Sequence, residues 1–218
     1  LRAGFNDSFA FVPGRGQYLR DAWGRSSQRD MGGLAPRGRF THLFLNGLYW
    51  GLYEATEEPT AAFSADHLGG READYDVVKS AERGEEGVED GNRLAYERLI
   101  AMTDLADPVH YRQVADLLDI DAFADYMLLN IYSLNLDWQT NWRAARSRVT
   151  GFGFRFFSWD TEISLNLLQP GHRLYEPAYA DDVSVTMGVD GLHDRLMRSP
   201  EYRQTFADRA RRHLFDAG

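Results

Sequence analysis

Two hydrophobic rhythms divide the chain. From residue 38 to residue 79 apolar positions recur in short runs suited to strands, and beyond residue 91 they recur every three to four residues, as on helices. The run THLFLNGLYWGLYEA (41–55) holds Asn46-Gly47 between two apolar stretches, a pairing that tolerates positive φ at both central turn positions and predicts a hairpin. Gly51 inside its second strand predicts a bulge or a close backbone approach. Tyr49, Trp50 and Tyr53 read as core or ligand-facing aromatics. Residues 18–32 predict a helix with Tyr18, Ala22 and Trp23 on its packing side, and residues 59–68 a second short helix. Residues 75–79 predict a strand, followed by a Gly- and Glu-rich loop at 81–91 that marks a boundary. Leu1 to Asp7 reads as a strand whose partner lies upstream.

The second part is mainly helical. Asn92 caps a helix running to about residue 104, and Asp107-Pro108 opens another that reaches Leu118. Residues 121–132 are apolar nearly all round, which predicts a buried central helix. GFGFRFFSWDTE (151–162) alternates as a strand, with Phe154, Phe156, Ser158 and Asp160 on one side and Arg155, Phe157 and Trp159 on the other. Continued extension would put Asp160 and Glu162 on one face. Residues 166–190, with Asp181, Asp182 and Asp190, read as a substrate-facing loop. Two amphipathic helices split at Ser199-Pro200 close the chain and are expected to pack on the central helix.

Composition narrows the function. A net charge of −9 argues against a dedicated nucleic-acid binder, which needs a positive surface. The absence of cysteine removes disulfides and thiolate metal sites. No stretch has the length and apolarity of a membrane span, and the start at Leu1 without methionine reads as an entry into a longer segment, so compartment stays open. Basic residues are arginines apart from one lysine, Lys79, whose compact ammonium is chemically distinct from a guanidinium fork.

The candidate chemistry lies in residues 130–165, where Asp137, Asn141, Asp160 and Glu162 sit among aromatic residues. Buried carboxylates take up a proton or find a cation, and this oxygen-only set suits magnesium, manganese or calcium. An aspartate, an asparagine shortly after it and a later aspartate at the end of a strand follow the order that kinase-type phosphoryl transfer requires. Asp160 and Glu162 as a glycosidase pair is a weaker reading, because same-face strand neighbours do not flank a bond. A hydrogen-bonded network without catalysis remains a third. The EF-hand-like spacing of Asn135, Asp137, Gln139 and Asn141 fails, because the turn glycine is missing and Arg146 stands where the glutamate belongs. The sequence carries no Walker loop, no H-R-D or D-F-G and no H-E-x-x-H. Arg143, Arg146, Arg148 and Arg155 around the hairpin read as solvated arginines or phosphate contacts.

These motifs resemble the CotH family, the spore-coat-type atypical protein kinases. The resemblance rests on the Asp137-to-Asn141 segment, the WD pair Trp159-Asp160, the NG-x-Y-x-G-x-Y hairpin within 42–58, YDVVKS (75–80) and LRAGFND (1–7). It implies an α+β, two-lobe, atypical-kinase-like fold, with a β-rich lobe at 1–91, incomplete at its start, and a mainly helical lobe at 92–218. It implies transfer of the γ-phosphoryl of ATP to a serine or threonine hydroxyl of a protein, with magnesium or manganese. Asp137 is then the catalytic base, Asn141, Asp160 and Glu162 the metal ligands, and Lys79 and Glu57 the nucleotide-side ion pair. Glu162 departs from the aspartate usual at that place. The family also implies a spore, cell-surface or extracellular setting. The alternative is a non-catalytic coat or surface interaction module with a structural metal.

Overall fold

The computed structural model describes residues 1–11, 13–80, 87–165 and 189–216. The acidic residues 81–86 and the stretch 166–188, with Asp181 and Asp182, lie outside them. The described chain is α+β, with two antiparallel sheets and seven α-helices.

Strands β1 (Gly38–Leu45) and β2 (Leu48–Thr56) form the expected hairpin. Asn46 and Gly47 both take positive φ, 51° and 79°, as the two-residue turn demands. Gly51, at φ 130°, lies at a register shift opposite Leu43 and Phe44, so the bulge is real. Of the two readings of the hairpin aromatics, the core one fails for Tyr49 and Trp50, which are exposed, while Tyr53 is half-buried. Arg2 makes an isolated antiparallel bridge to Glu54, with backbone bonds of 2.8 and 2.9 Å. The first residues thus touch β2 through this one bridge and do not form the strand expected over Leu1 to Asp7.

The second sheet has the order β4-β3-β5-β6, built from β3 (Tyr75–Lys79), β4 (Val88–Asp90), β5 (Trp142–Ser147) and β6 (Arg155–Ser158). It joins strands from before and after residue 91. Alternation sorts its faces. Val78, Trp142, Ala144 and Phe156 enter the larger apolar cluster, while Tyr75, Val77, Ala145 and Phe157 face a smaller one completed by α2 (Ala61–Leu68).

The larger cluster surrounds α5 (Ile120–Tyr132), whose Phe123, Ala124, Tyr126 and Met127 are fully buried. Helices α3 (Leu94–Ile100) and α4 (Pro108–Ala115) contribute Leu99 and Val114. The helices α6 (Val189–Leu196) and α7 (Pro200–Leu214) close the far side with Leu192, Leu196 and Tyr202. Local chemistry sets the ends: the Asp107 carboxylate accepts from Val109 N–H at 2.7 Å, and Ser199 caps α7 ahead of its proline. Each cap contributes about 1 kcal/mol.

Helix α1 (Arg20–Asp30) breaks the apolar rule. Its buried residues are Arg20, Asp21, Gly24, Arg25 and Gln28, whereas Ala22 and Trp23 are only half-buried. The expected apolar packing side is therefore wrong, and the inner face is polar. Gln28 accounts for part of it: its amide donates to Phe156 O and accepts from Ser158 N–H, both at 2.7 Å, completing the edge of β6 as another strand would. Gly24 is required where α1 meets the next turn, since a Cβ there would strike Thr161.

Candidate functional site

The site forms where the end of α5 and the segment after β6 run together. Leu136 N–H donates to Ile163 O at 3.0 Å, and Leu165 N–H donates to Ser133 O at 2.6 Å. Leu134 and Leu165, both at positive φ, turn the chain on either side of this pairing. Asn135 Nδ2 donates to Asn130 Oδ1 at 2.9 Å, tying the loop back to α5.

Asp137 opens a tight turn: its carbonyl accepts from Thr140 N–H and Thr140 Oγ1, both at 3.0 Å. The turn carries Asn141 back, so that Asn141 Nδ2 donates to Asp137 Oδ2 at 2.7 Å. That bond fixes which way the amide faces and leaves Asn141 Oδ1 without a hydrogen-bond partner among the described residues. Asp137 Oδ1 is buried and has no hydrogen-bond partner among the described residues. Burial, and then the charge of Asp160, push the Asp137 carboxyl up to about 6.

Strand β6 ends at Ser158, and the alternation stops there. Asp160 adopts φ 55°, a left-handed conformation that costs a residue with a Cβ about 1 kcal/mol. The extended reading that put Asp160 and Glu162 on one strand face is thereby corrected. The turn is held from α1, where Asp21 Oδ1 accepts from Thr161 N–H at 3.0 Å. Asp160 and Glu162 still converge, on Arg2. Its Nη2 lies 2.5 Å from Asp160 Oδ1 and 3.5 Å from Glu162 Oε1, and its Nε lies 3.3 Å from Asp21 Oδ2. Glu162 Oε2 also accepts from Asn6 N–H at 2.8 Å. The carboxyls of Asp160 and Glu162 are both raised, chiefly by burial; Arg2 opposes this and neighbouring carboxylates add to it.

A hard divalent cation takes oxygen donors. Asp137 Oδ1, Asn141 Oδ1 and Asp160 Oδ2 have the right chemistry, and the orphaned buried oxygen of Asp137 is what a cation or a proton would satisfy. Glu162 fits less well as a ligand, because Asn6 and Arg2 engage its two oxygens. Among the described residues no three His, Cys, Asp or Glu side chains form a metal-holding group. Asp137, Asn141 and Asp160 offer three side-chain oxygens, fewer than the shell of a hard divalent cation, so a cation there would need further ligands.

The expected Glu57–Lys79 pair is not formed. Glu57 accepts from Arg37 N–H at 2.7 Å and lies 3.2 Å from His67 Nε2, because β2 has already ended and turned toward α2. Lys79 instead pairs with Glu89 of β4 at 3.3 Å. The same Glu89 lies 3.1 Å from Arg143, which also pairs with Glu58 at 2.9 Å. Arg143 and Arg2 both stack on the Trp159 ring, each 4.8 Å from its centroid. Of the arginines on and beside β5 and β6, Arg143, Arg148 and Arg155 are thus in ion pairs, Arg148 with Asp76 and Arg155 with Asp119 at 2.8 Å, and Arg146 has none among the described residues.

Sequence reasoning brought Asp137, Asn141 and Asp160 to one place but missed Arg2, Asp21 and Trp159 as their support. The signal for Asp21 was present as a polar stripe at helical spacing, Asp21, Gly24, Arg25 and Gln28, which apolar scanning overlooks. Arg2 lay inside the LRAGFND segment without a role. No described helix is long and apolar enough to cross a membrane.

No curated protein matches the chain. A family model described as "CotH kinase protein" matches residues 1–217, essentially the whole sequence, including the Asp137 turn, the Trp159-Asp160 pair and the Asn46-Gly47 hairpin. On that coverage, the chain belongs to the CotH family.

Proposed function

We propose that this CotH protein is a metal-dependent protein kinase with a two-lobe, kinase-like arrangement that transfers the γ-phosphoryl of ATP to a serine or threonine hydroxyl of a protein. The observation that carries the proposal is the juxtaposition of Asp137, Asn141 and Asp160, with one buried Asp137 oxygen unsatisfied. Magnesium or manganese with ATP supplies the electrophilic phosphorus and neutralises the charge that spreads over its oxygens.

The protein's own groups divide the remaining work. Asn141 Oδ1 and Asp160 Oδ2 would hold the cation. Asp137 Oδ1 accepts the proton of the incoming hydroxyl, and a cation held beside it would offset the Asp160 charge that raises this carboxyl in the metal-free protein and keep it ionised. Its bond from Asn141 keeps the acceptor oxygen aimed away from the amide. Lys79 would meet phosphate charge from the end of β3, with Glu89 in the pairing role first assigned to Glu57. Glu162 stands one step back, fixing Arg2 and the residue 6 backbone.

A second reading, a surface interaction module with a structural metal, draws on the exposed hairpin tip, where Phe44, Leu48, Tyr49 and Trp50 face solvent. Thermal unfolding separates the two. A ligand that binds only the folded state stabilises it by RT ln(1 + [L]/Kd), about 2.7 kcal/mol at one hundred times Kd. The kinase reading expects magnesium or manganese plus ATP to raise the melting temperature beyond the metal alone, and expects Asp160→Ala to abolish that increment. A metal shift with no added effect of ATP favours the interaction module.

A further inference from the structure

Arg2 is tied down at both ends. Its backbone is paired with Glu54 on β2 through two hydrogen bonds, and its guanidinium lies on Trp159, whose ring also carries Arg143. From that position the fork reaches Asp160, Glu162 and Asp21 together, and no hydrogen bond among the described residues reaches Asp160 Oδ2. Asp21 continues the network to Arg25, 3.3 Å away, and Arg25 to Glu54 at 2.5 Å. Four carboxylates thus share two guanidiniums, and the connected group keeps the charge of two unpaired carboxylates. A divalent cation matches that excess without Arg2 having to leave.

We infer that Arg2 is a positioning residue of the cation site: it binds one oxygen of Asp160 and, held by Trp159, presents the other oxygen to the metal. The inference rests on the kinase reading of the same site but concerns a residue outside the Asp137, Asn141 and Asp160 set. Geometry explains why arginine is needed. A planar fork bonds two directions at once and stacks on an aromatic face, whereas a lysine ammonium carries the same charge without either capacity. Asp160 sits in a left-handed conformation beyond the last strand residue, where no ladder bond aims its side chain, so Arg2 sets its orientation.

Charge and orientation make opposite predictions, which makes the inference testable. Removing a positive charge beside a cation site strengthens cation binding, while loosening a ligand weakens it. Arg2→Lys keeps the charge and removes the fork. Manganese binding to the ATP-free protein, followed by electron paramagnetic resonance of free manganese, reads the site without activity. We expect Arg2→Lys to raise the manganese Kd about tenfold. Trp159→Leu, which keeps every ion pair and removes the stack, should raise it about threefold. In phosphotransfer assays Arg2→Lys should raise the KM for the metal–ATP complex with kcat little changed at saturation.

Circular dichroism of the metal-free variants checks folding, and Trp159→Leu serves if Arg2→Lys does not fold. Arg2→Lys with the wild-type Kd, or Arg2→Gln with a tighter one alongside it, overturns the positioning role and leaves Arg2 a bare charge. An absence of saturable manganese binding by the wild-type protein both without nucleotide and with a non-hydrolysable ATP analogue overturns the cation site itself, and with it the kinase reading, which distinguishes that failure from the failure of Arg2 alone.

Discussion

Strand β6 has two unlike neighbourhoods. Its inner face delivers Phe156 to a cluster where its ring meets those of Phe123, Tyr126 and Trp142 at centroid distances of 5.1 to 5.6 Å. Its free edge is bracketed by Gln28, and beyond its end α1 contributes Asp21 and Arg25 rather than apolar groups. The first neighbourhood gains stability from area removed from water. The second retains charges that water would solvate better, and such groups persist only if each has a partner. That difference places the chemistry: Asp160 follows directly where the apolar rhythm ends and the ionic network begins.

The largest effects should come from breaking one partner on each side. Phe156→Ala removes a fully buried ring and should cost about 3 to 5 kcal/mol in urea unfolding. Glu54→Ala removes the nearer carboxylate from the buried Arg25 guanidinium, leaving it Asp21 at 3.3 Å, and should cost about 3 kcal/mol. The two should then diverge. Replacing both members of the pair, as Arg25→Met with Glu54→Leu, should recover most of the loss, and a double variant no more stable than Glu54→Ala would contradict an ionic interior made costly by its unpaired charge.

A smaller effect follows from Asp137. Its carboxyl is raised to about 6, above the ordinary carboxylate range, so the folded metal-free protein binds more protons than the unfolded one between those values. Stability therefore falls as pH rises through that window, and the loss is complete above it. Asp137→Asn without divalent ions should melt about 2 to 4 °C higher than wild type at pH 8 and nearly level with it at pH 4. A variant that melts lower at pH 8 would show that the carboxylate is better partnered than its geometry indicates. The smallest effect belongs to the exposed hairpin tip, where Trp50→Ser should change unfolding free energy by no more than about 0.5 kcal/mol.

Much of this was legible where local chemistry decides conformation. The Asn46-Gly47 turn, the strand at 75–79, the Asp107 cap and the Ser199-Pro200 start all appear as expected, because each depends on residues a few places apart. The helix α5 was legible because it is apolar nearly all round. What escaped depends on distant partners. Asp160 has no glycine to announce its positive φ, and Thr161 is held there by Asp21, 140 positions away in sequence. Arg2 reaches Asp160 across 158 positions, and a lone arginine in an arginine-rich chain carries no signal of that reach. The Glu57–Lys79 pair failed because Glu57 lies past the end of β2, beside His67, while β4 brings Glu89 to the lysine.

The most direct test is phosphotransfer itself. The protein would be incubated with γ-labelled ATP, manganese and a serine- and threonine-rich acceptor protein, with Asp137→Asn as the comparison. Labelled acceptor should accumulate with wild type only when the divalent cation is present, and Asp137→Asn should lower the rate at least about a hundredfold while binding nucleotide nearly as well. Equal transfer by the two proteins would contradict the role of Asp137, and no transfer by wild type under conditions where it binds ATP and manganese would contradict the kinase reading.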